Sequence, residues 1–496
     1  MRRALILLSL FLFLLLISFS IEYVLNPSDV ADIEYPLNPP VSADYVDSAK
    51  RMYQCSDCNV IIISIDALRA DHLSTYGYSR KTSSFIDSIA RKGVVFENAI
   101  TPRPKTVVSL TSMLTGLYPY HSGVRGYGEK PVYLPSLLKE NGFTTAAFVS
   151  NWALRPDESG FDRYFDVYDY DFTRSYYPRP WVYERDAGET NENVFRWLDE
   201  NHDKRFFLWI HYMEPHGPYD PPEAFRGVFT HKTRRMIPRD LIPAYQDVNK
   251  SFVAGNMTDY RDYLDQYDNE IYYADVEVRN LFDKLDTLGI TANSLVILTS
   301  DHGESLGQHK YYFEHGHEVY DDSARIPLIL KFPDDKGVRP MRVAPIVSNM
   351  DVYPTILSIL GMDSSHVPLM DGVDLLPLLA SNQSSRREVF IERYNFGHFL
   401  RVAVRTDRYK LIRNANCKVF SSDVCKLPEY ECYDLRRDPR EINRSGCRND
   451  TFDSLKKILD DYVWRSQEPM PNPPLVVEKE LNEVDEKILR SLGYVD

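Results

Sequence analysis

Asp66, Thr106, Asp301 and His302 are the residues of this chain whose types combine into a reaction centre. Asp66 follows the apolar run Asn59-Val-Ile-Ile-Ile-Ser-Ile65, and Asp301-His302 follow Ser294-Leu-Val-Ile-Leu-Thr299 and Ser300. Such runs read as strands buried on both faces, and open α/β sheets gather their ligands at the carboxyl ends of strands. Thr106 stands where the Pro-rich stretch Thr101-Pro-Arg-Pro-Lys105 turns into an amphipathic helix, with Val107, Leu110 and Leu114 at helical spacing. A Thr there can cap free N–H groups, and the positive end of the helix dipole favours an anion beside it. Two carboxylates, one imidazole and one hydroxyl oxygen suit a divalent cation, which lowers the pKa of the hydroxyl, makes it nucleophilic and polarises a substrate oxygen. A plain N-cap and a structural Asp-His pair are the bland alternatives. Three loops bringing this chemistry to one side of a sheet outweigh them.

Other groups stand near these loops in sequence. The run Phe206-Phe-Leu-Trp-Ile-His-Tyr212 leads into Met213-Glu-Pro-His-Gly-Pro-Tyr219, a rigid loop carrying His216. A further loop carries Lys310, His315 and His317. Lys105, Arg103 and Lys310 are either neutralisers of an anionic substrate or plain loop charges. His211, on a strand, is core or functional. Asp71 and His72 read as braces of the loop after Asp66, His121 as a turn cap and His309 as solvated.

The elements that must position these residues alternate. Strands are expected over Asn59–Ile65, Gly93–Phe96, Thr144–Ser150, Phe206–Tyr212, Ser294–Thr299 and Arg325–Phe332. Helices are expected over Ser83–Lys92, from Thr106, and over Leu134–Glu140, Glu189–Glu200, Tyr260–Leu288 and Val352–Leu360. That order implies an α/β fold, a mostly parallel central sheet with helices on both faces. Residues 151–185, rich in aromatics, Asp and Arg, read as a surface loop, and 220–258 as a lid or cleft wall. After 386 the texture changes. Val402–Thr406 and Tyr409–Arg413 read as antiparallel strands, and Asp453–Trp464 and Val477–Leu492 as helices, a smaller C-terminal α+β subdomain.

The chain has 496 residues, 43% hydrophobic, with a net charge of −14, which excludes nucleic acid as a partner. Residues 4–21 are apolar and uncharged, long enough to span a bilayer. Arg2 and Arg3 precede them and no basic residue follows before Lys50, so the rest of the chain is expected outside the membrane, on an uncleaved anchor rather than a cleaved signal. The division is then anchor 1–21, Pro-punctuated tether 22–58, catalytic α/β domain 59–385 and C-terminal subdomain 386–496. Six cysteines (Cys55, Cys58, Cys417, Cys425, Cys432, Cys447) suggest disulfides, with a structural Cys55–Cys58 link preferred to a redox pair and a zinc site among the late four lacking nearby His. Sequons at Asn249, Asn256, Asn382, Asn443 and Asn449 agree with an outside location.

The ordered motifs Val60-Ile-Ile-Ile-Ser-Ile-Asp66, Leu68-Arg-Ala-Asp-His-Leu73, Ser112-Met-Leu-Thr-Gly116, Pro215-His-Gly-Pro-Tyr219, Ser300-Asp-His-Gly-Glu304, Arg325-Ile-Pro327, Asp351-Val-Tyr-Pro354, Asp371-Gly372 and Tyr409-Lys-Leu-Ile-Arg413 resemble the sulfatase-type branch of the alkaline phosphatase superfamily, over about 430 residues. The resemblance implies a metal-dependent ester hydrolase or transferase. Asp66, Asp301 and His302 match metal ligands, and Thr106 the nucleophile, ten residues before Gly116. His216 matches the histidine on the transferred group; His317, and less closely His315, fall where related enzymes place a further His or Lys. Where sulfatases carry Cys or Ser in a C/S-x-P-x-R signature, converted to formylglycine, this chain has Thr106-Val-Val-Ser-Leu110. A Thr cannot yield that aldehyde, and Ser109 is three positions off. Threonine nucleophiles occur in the superfamily's phosphodiesterases and phospho-group transferases. Ala67 replaces the second Asp of the family pair and His302 its Asn, which moves the expected metal from Ca²⁺ toward one Zn²⁺ or Mn²⁺.

The expected function is therefore a membrane-anchored, extracytoplasmic metalloenzyme acting on phosphate esters or diesters, lipid- or glycan-linked, as hydrolase or phosphotransferase. Thr106, His216 and His317 are the expected catalytic residues, and His315, Lys105 and Lys310 the substrate-binding ones. Asp66, Thr106, Asp301 and His302 are expected to hold the metal. The alternatives are a sulfate-ester hydrolase without formylglycine and a silent membrane-tethered glycan- or lipid-binding protein.

Overall fold

The computed structural model describes residues 51–467 apart from 123–130, 173, 177–178, 244–245, 247–252, 364–366, 368–369, 382–386, 396–397 and 415–426. The apolar run 4–21, most of the 22–58 tether, Cys417, Cys425, the sequons at Asn249 and Asn382, and the helix expected over Val477–Leu492 lie outside the described residues. Among the described residues, no helix is long and apolar enough to cross a membrane.

The principal elements begin with β1 (Asn59–Ile65), α1 (Ser84–Ala90), β2 (Val94–Ile100), α2 (Thr106–Thr115), α3 (Leu134–Glu140), β3 (Thr144–Val149) and β4 (Val167–Asp169). Then come α4 (Ala187–Asn201), β5 (Phe206–Tyr212), α5 (Tyr260–Thr287), β6 (Ser294–Ser300), β7 (Arg325–Lys331), β8 (Met341–Ser348) and α6 (Val352–Leu360). The C-terminal part holds β9 (Val389–Asn395), β10 (His398–Arg405), β11 (Tyr409–Asn414), β12 (Tyr430–Asp434) and α7 (Asn449–Gln467).

The large sheet has the order β8-β2-β7-β6-β1-β5-β3-β4. Its neighbours are parallel except where β7 runs against β6 and β2. Every residue of β1, β5 and β6 is buried, which is why their sequences are continuous apolar runs. Successive side chains alternate between faces. Val60 and Ile62 pack with Leu110 and Met113 of α2, Leu138 of α3 and Ile356 of α6, while Ile61, Ile63 and Ile65 pack with Ile86 of α1, Val194 of α4 and Ile271 of α5. Helices therefore cover both faces, as expected for this α/β class. α4 starts at a capping box in which Asp186 accepts from the Glu189 N–H and Glu189 accepts from the Asp186 N–H. α5 ends where Gly289 takes a φ of +70°.

Residues 151–185 are not the expected surface loop. Trp152, Leu154, Phe161 and Phe165 are buried, and β4 extends the main sheet beside β3. Among the aromatics that suggested exposed texture, Trp152, Phe161 and Phe165 are core, whereas Tyr170 is exposed. In 220–258, short strands at Met236–Pro238 and Met257–Asp259 pair antiparallel, and Gln246 is buried against the Phe313 carbonyl oxygen.

The C-terminal sheet, β9-β10-β11-β12, is antiparallel throughout. Val402, Val404 and Leu411 face Leu455, Leu459 and Val463 of α7. The opposite face, with Ile391, Ala403 and Ile412, packs on Ile100 and Ile346 at the edge of the main sheet and on Val319 and Tyr320. Cys55 pairs with Cys58 and Cys432 with Cys447.

Candidate active site

Because β1, β3, β5 and β6 are parallel, their carboxyl ends meet along one edge of the sheet. Asp66 follows β1, Asn151 follows β3 by two residues, His211 lies near the end of β5, and Asp301 follows β6. Asp66, Thr106, Asp301 and His302 all have 0% exposure, so the side chains singled out at the strand ends share one buried centre.

Each carboxylate is held by one oxygen and presents the other. Asp66 Oδ2 accepts from Asn151 Nδ2 at 2.5 Å and His211 Nε2 at 3.1 Å, whereas Asp66 Oδ1 has no hydrogen-bond partner. Asp301 Oδ1 accepts from the Ala67 N–H at 3.2 Å and the His302 N–H at 2.9 Å, whereas Asp301 Oδ2 has none. His302 Nδ1 donates to the Gly303 carbonyl oxygen at 2.8 Å, which leaves a lone pair on Nε2. That nitrogen lies 3.6 Å from Asp66 Oδ1, 3.2 Å from Asp301 Oδ2 and 3.2 Å from Thr106 Oγ1. Donors about 2.0–2.1 Å from a tetrahedral ion stand roughly 3.3 Å apart, so this set fits a small divalent cation. Donor atoms of Asp66, His211 and Asp301 also lie within 4.8 Å of one another. Burial raises the Asp301 carboxyl and the adjacent Asp66 charge adds to it; burial also opposes ionisation of Asp66, but His216, His211 and His302 hold its carboxyl below the usual range.

Thr106 is the first helical residue of α2; the N-cap is Lys105, which makes no side-chain cap. The plain N-cap reading of Thr106 therefore fails. Ser109 is locked elsewhere, donating to the Asp301 carbonyl oxygen at 2.6 Å and accepting from Thr101 and Asn349.

His216 Nδ1 donates to the Gly217 carbonyl oxygen at 2.7 Å, and its Nε2 has no hydrogen-bond partner. Burial lowers its pKa, against the pull of Asp66. His315 stacks on His302 with ring centroids 4.1 Å apart and meets His216 edge-on at 4.9 Å. Burial, then repulsion from His302, His216, His317 and Lys105, pushes His315 well below its ordinary pKa. His315 thus joins the cluster more closely than His317, which is half-buried and contacts Arg393. Lys105 is half-buried beside this group, and Lys310 is exposed at a φ of +71°. Arg103 is buried, donating to the Glu392 carbonyl oxygen. Asp71 and His72 are braces, on Arg69 and Asp268. His121 Nδ1 lies 2.8 Å from Asp371 Oδ2, and His309 is stacked on Tyr320 rather than solvated.

Sequence reasoning left His211 undecided and missed Asn151 and Glu304. Asn151 follows a strand at the edge that supplied Asp66, a signal available before the structure. Glu304 belongs to the Ser300–Glu304 motif; it is fully buried, with its carboxyl pushed well up by burial, 3.2 Å from His315 Nδ1, and accepts from the Tyr219 hydroxyl at 3.1 Å.

The buried cluster of carboxylates, imidazoles and a hydroxyl at the carboxyl edge of an α/β sheet could hold a metal ion. The family model described as Sulfatase matches residues 58–362, and that described as N-sulphoglucosamine sulphohydrolase, C-terminal, matches residues 307–468. The chain belongs to the sulfatase family, and is an enzyme of the alkaline phosphatase-like superfamily. Enzymes of this family bind a divalent metal, and the open oxygens of Asp66 and Asp301 agree with that. An arylsulfatase of Clostridium perfringens (strain 13 / Type A) is 24% identical over 468 residues, covering 81% of this chain and 93% of that protein. A solved protein in complex with its substrate D-glucosamine-2-N,6-O-disulfate matches with a TM-score of 0.66 at 18% identity, over 83% of this chain and 99% of that one. The phosphonate monoester hydrolase of Agrobacterium radiobacter matches with a TM-score of 0.62 at 20% identity, over 83% and 96%. Relatives named for sulfate esters favour the sulfate-ester alternative over the phosphate reading.

Proposed function

We propose that the chain hydrolyses or transfers the anionic group of an ester through Thr106, with a phosphate ester as the substrate its own side chains fit best. The observation that carries this is the identity of the buried nucleophile candidate, a threonine 3.2 Å from the His302 Nε2 lone pair. A threonine sulfate has no second hydroxyl on its carbon with which to expel sulfate. A phosphothreonine can be opened by in-line attack of water or an alcohol on phosphorus.

A divalent cation held by Asp66, Asp301, His302 and Thr106 would lower the pKa of the Thr106 hydroxyl and neutralise charge on the ester's oxygens. His211 and Asn151 orient Asp66, and two backbone N–H groups orient Asp301. The amino end of α2 adds a favourable dipole for an anion. His216 becomes a donor to that anion on taking up a proton, which the incoming charge favours.

The second reading is a sulfate ester on a sugar, supported by the curated relatives and by the solved complex with a sulfated glucosamine. An extracytoplasmic enzyme tethered by residues 4–21 is supported by that apolar run and by the Cys432–Cys447 pair. The test is hydrolysis of an aryl phosphate monoester, an aryl phosphodiester and an aryl sulfate by the full chain supplied with Zn²⁺ or Mn²⁺. Faster phosphate than sulfate turnover, lost in a folded Thr106→Ala variant, is the expected result. A large preference for sulfate would overturn the phosphate reading, and undiminished Thr106→Ala turnover would remove the nucleophile.

A further inference from the structure

Residues 223–241 are mostly exposed, yet Gln246, five positions further on, is only 4% exposed. Its carboxamide lies over Gly217. A Cβ built on that glycine would stand 1.9 Å from Gln246 Nε2, 2.6 Å from Cδ and 2.9 Å from Oε1, so only a residue without a side chain leaves room for it. Gln246 Nε2 also donates to the Phe313 carbonyl oxygen at 3.0 Å. A carbonyl only accepts, so the amide nitrogen must face it, and the orientation of the carboxamide is fixed. The other end of the amide, Oε1, is buried and has no hydrogen-bond partner. A buried acceptor without a donor is costly, and nothing in the fold repays this one. The contacts of Gln246 lead to the nucleophile centre. Gly217 follows His216, and Phe313 precedes His315 by two residues. The two imidazoles meet edge-on at 4.9 Å, His315 stacks on His302 at 4.1 Å, and His302 Nε2 lies 3.2 Å from Thr106 Oγ1. Gln246 thus joins the two loops whose rings close around that centre.

We propose that Gln246 is a specificity-determining residue whose Oε1 accepts a hydrogen bond from a hydroxyl or amine on the alcohol part of the ester. An acceptor repels the anionic oxygens of the ester itself, so the group it takes is an O–H or N–H donor. Sugars, polyols and amino alcohols carry such a donor beside the ester bond; simple alkyl and aryl alcohols do not. A polar site of this kind selects strongly, because an analogue lacking the donor leaves the buried acceptor unpaired. The proposal rests on the ester reading above. It does not depend on the choice between phosphate and sulfate, since it concerns the part of the ester that leaves. Through this one side chain, the segment 220–258 becomes a wall of the substrate cleft.

The test compares two esters of one branched skeleton, glycerol 2-phosphate and isopropyl phosphate, with inorganic phosphate beside them. Glycerol 2-sulfate, isopropyl sulfate and inorganic sulfate make a parallel set. The protein is the full chain supplied with Zn²⁺ or Mn²⁺, and the readout is kcat/KM where an ester is turned over and a calorimetric Kd where it is not. Wild type should favour the glycerol ester by roughly tenfold or more. Gln246→Met, of the same length but without the amide, should erase that preference and leave the inorganic anion within about twofold. Gln246→Glu, at about pH 5, presents a protonated carboxyl that repeats both the donor and the acceptor, and should keep the preference. Equal values for the two esters in wild type would mean that water satisfies Oε1 and would overturn the proposal without any variant. Equal weakening of both esters and the inorganic anion in Gln246→Met would make the residue a brace and overturn it too. If wild type binds neither inorganic anion, the ester reading itself fails and the proposal falls with it.

Discussion

Asp301→Asn separates the charge of the metal site from its shape. In the wild type, Asp301 Oδ1 accepts two backbone N–H groups, and Oδ2 faces His302 Nε2 at 3.2 Å. An asparagine keeps the first role through its carbonyl oxygen and can donate from Nδ2 to the His302 lone pair, so the substitution leaves no new orphan. What it removes is a carboxylate whose oxygen lies within 4.8 Å of one on Asp66. At an effective dielectric constant of about 20, two unit charges at that separation repel by about 3 kcal/mol. Burial and the Asp66 charge raise the Asp301 carboxyl, so the metal-free fold binds a proton there that the unfolded chain has released. Its stability contribution is complete below the unfolded pKa and is lost as pH rises through the folded one. Near pH 7 the metal-free variant should therefore melt above the metal-free wild type, and the difference should vanish toward about pH 4. With an unfolding entropy of about 2.1 cal/mol/K per residue over about 400 residues, the gain corresponds to roughly 3–4 °C. Zn²⁺ or Mn²⁺ at about 100 times its Kd should raise wild type by roughly 3 °C, about 2.7 kcal/mol, and leave Asp301→Asn unmoved. The assay is thermal unfolding of both proteins with and without metal. Equal metal-induced shifts, or a metal-free variant less stable than wild type at pH 7, would refute the two-carboxylate site.

Asn151→Ala removes a 2.5 Å hydrogen bond that orients Asp66 and should lower metal affinity about 10–100-fold, read by competition with a fluorescent chelator. Glu441 is raised to about 7 by burial and by Asp321, against the pull of Lys410, whose Nζ lies 2.8 Å from it. A raised carboxyl costs stability as pH climbs from the unfolded value through the folded one, so Glu441→Gln should flatten a loss of about 3 kcal/mol between roughly pH 4.5 and 7, seen in urea melts. Arg401→Met leaves Glu318 buried without its guanidinium, while Glu431 keeps that of Arg444, and should destabilise by about 3–5 kcal/mol in the same melts.

The strands β1 and β5 and the helices α3 and α6 were legible to the residue because burial on both faces, or a capped amphipathic stretch, leaves a pattern in consecutive residues. β8 was not, because Pro345 interrupts it. The structure tolerates that proline at the sheet edge, where the pairing with β2 shifts register between Val343 and Ile346. β9 was hidden by Glu392 and Arg393, charged residues that are buried because each has a distant partner: Tyr462 on Glu392 and His317 against Arg393. The candidate site divides in the same way. Asp66, Asp301 and His302 could be read from strand ends. The pairing of His315 with Glu304, the approach of Asn151 to Asp66 and the hold of Arg393 on His317 join residues 11, 85 and 76 positions apart, for which the chain carries no local periodicity.

The sulfate and phosphate readings share every part of this centre except the side chain at 106. In both readings Asp66, Asp301 and His302 would supply a cation site indifferent to whether sulfur or phosphorus lies beyond it. The choice therefore falls on what the nucleophile can do after attack. Thr106 has one oxygen on its β-carbon, so the group it accepts must leave by attack at the central atom. Phosphorus in a buried, cation-neutralised site accepts a second in-line nucleophile.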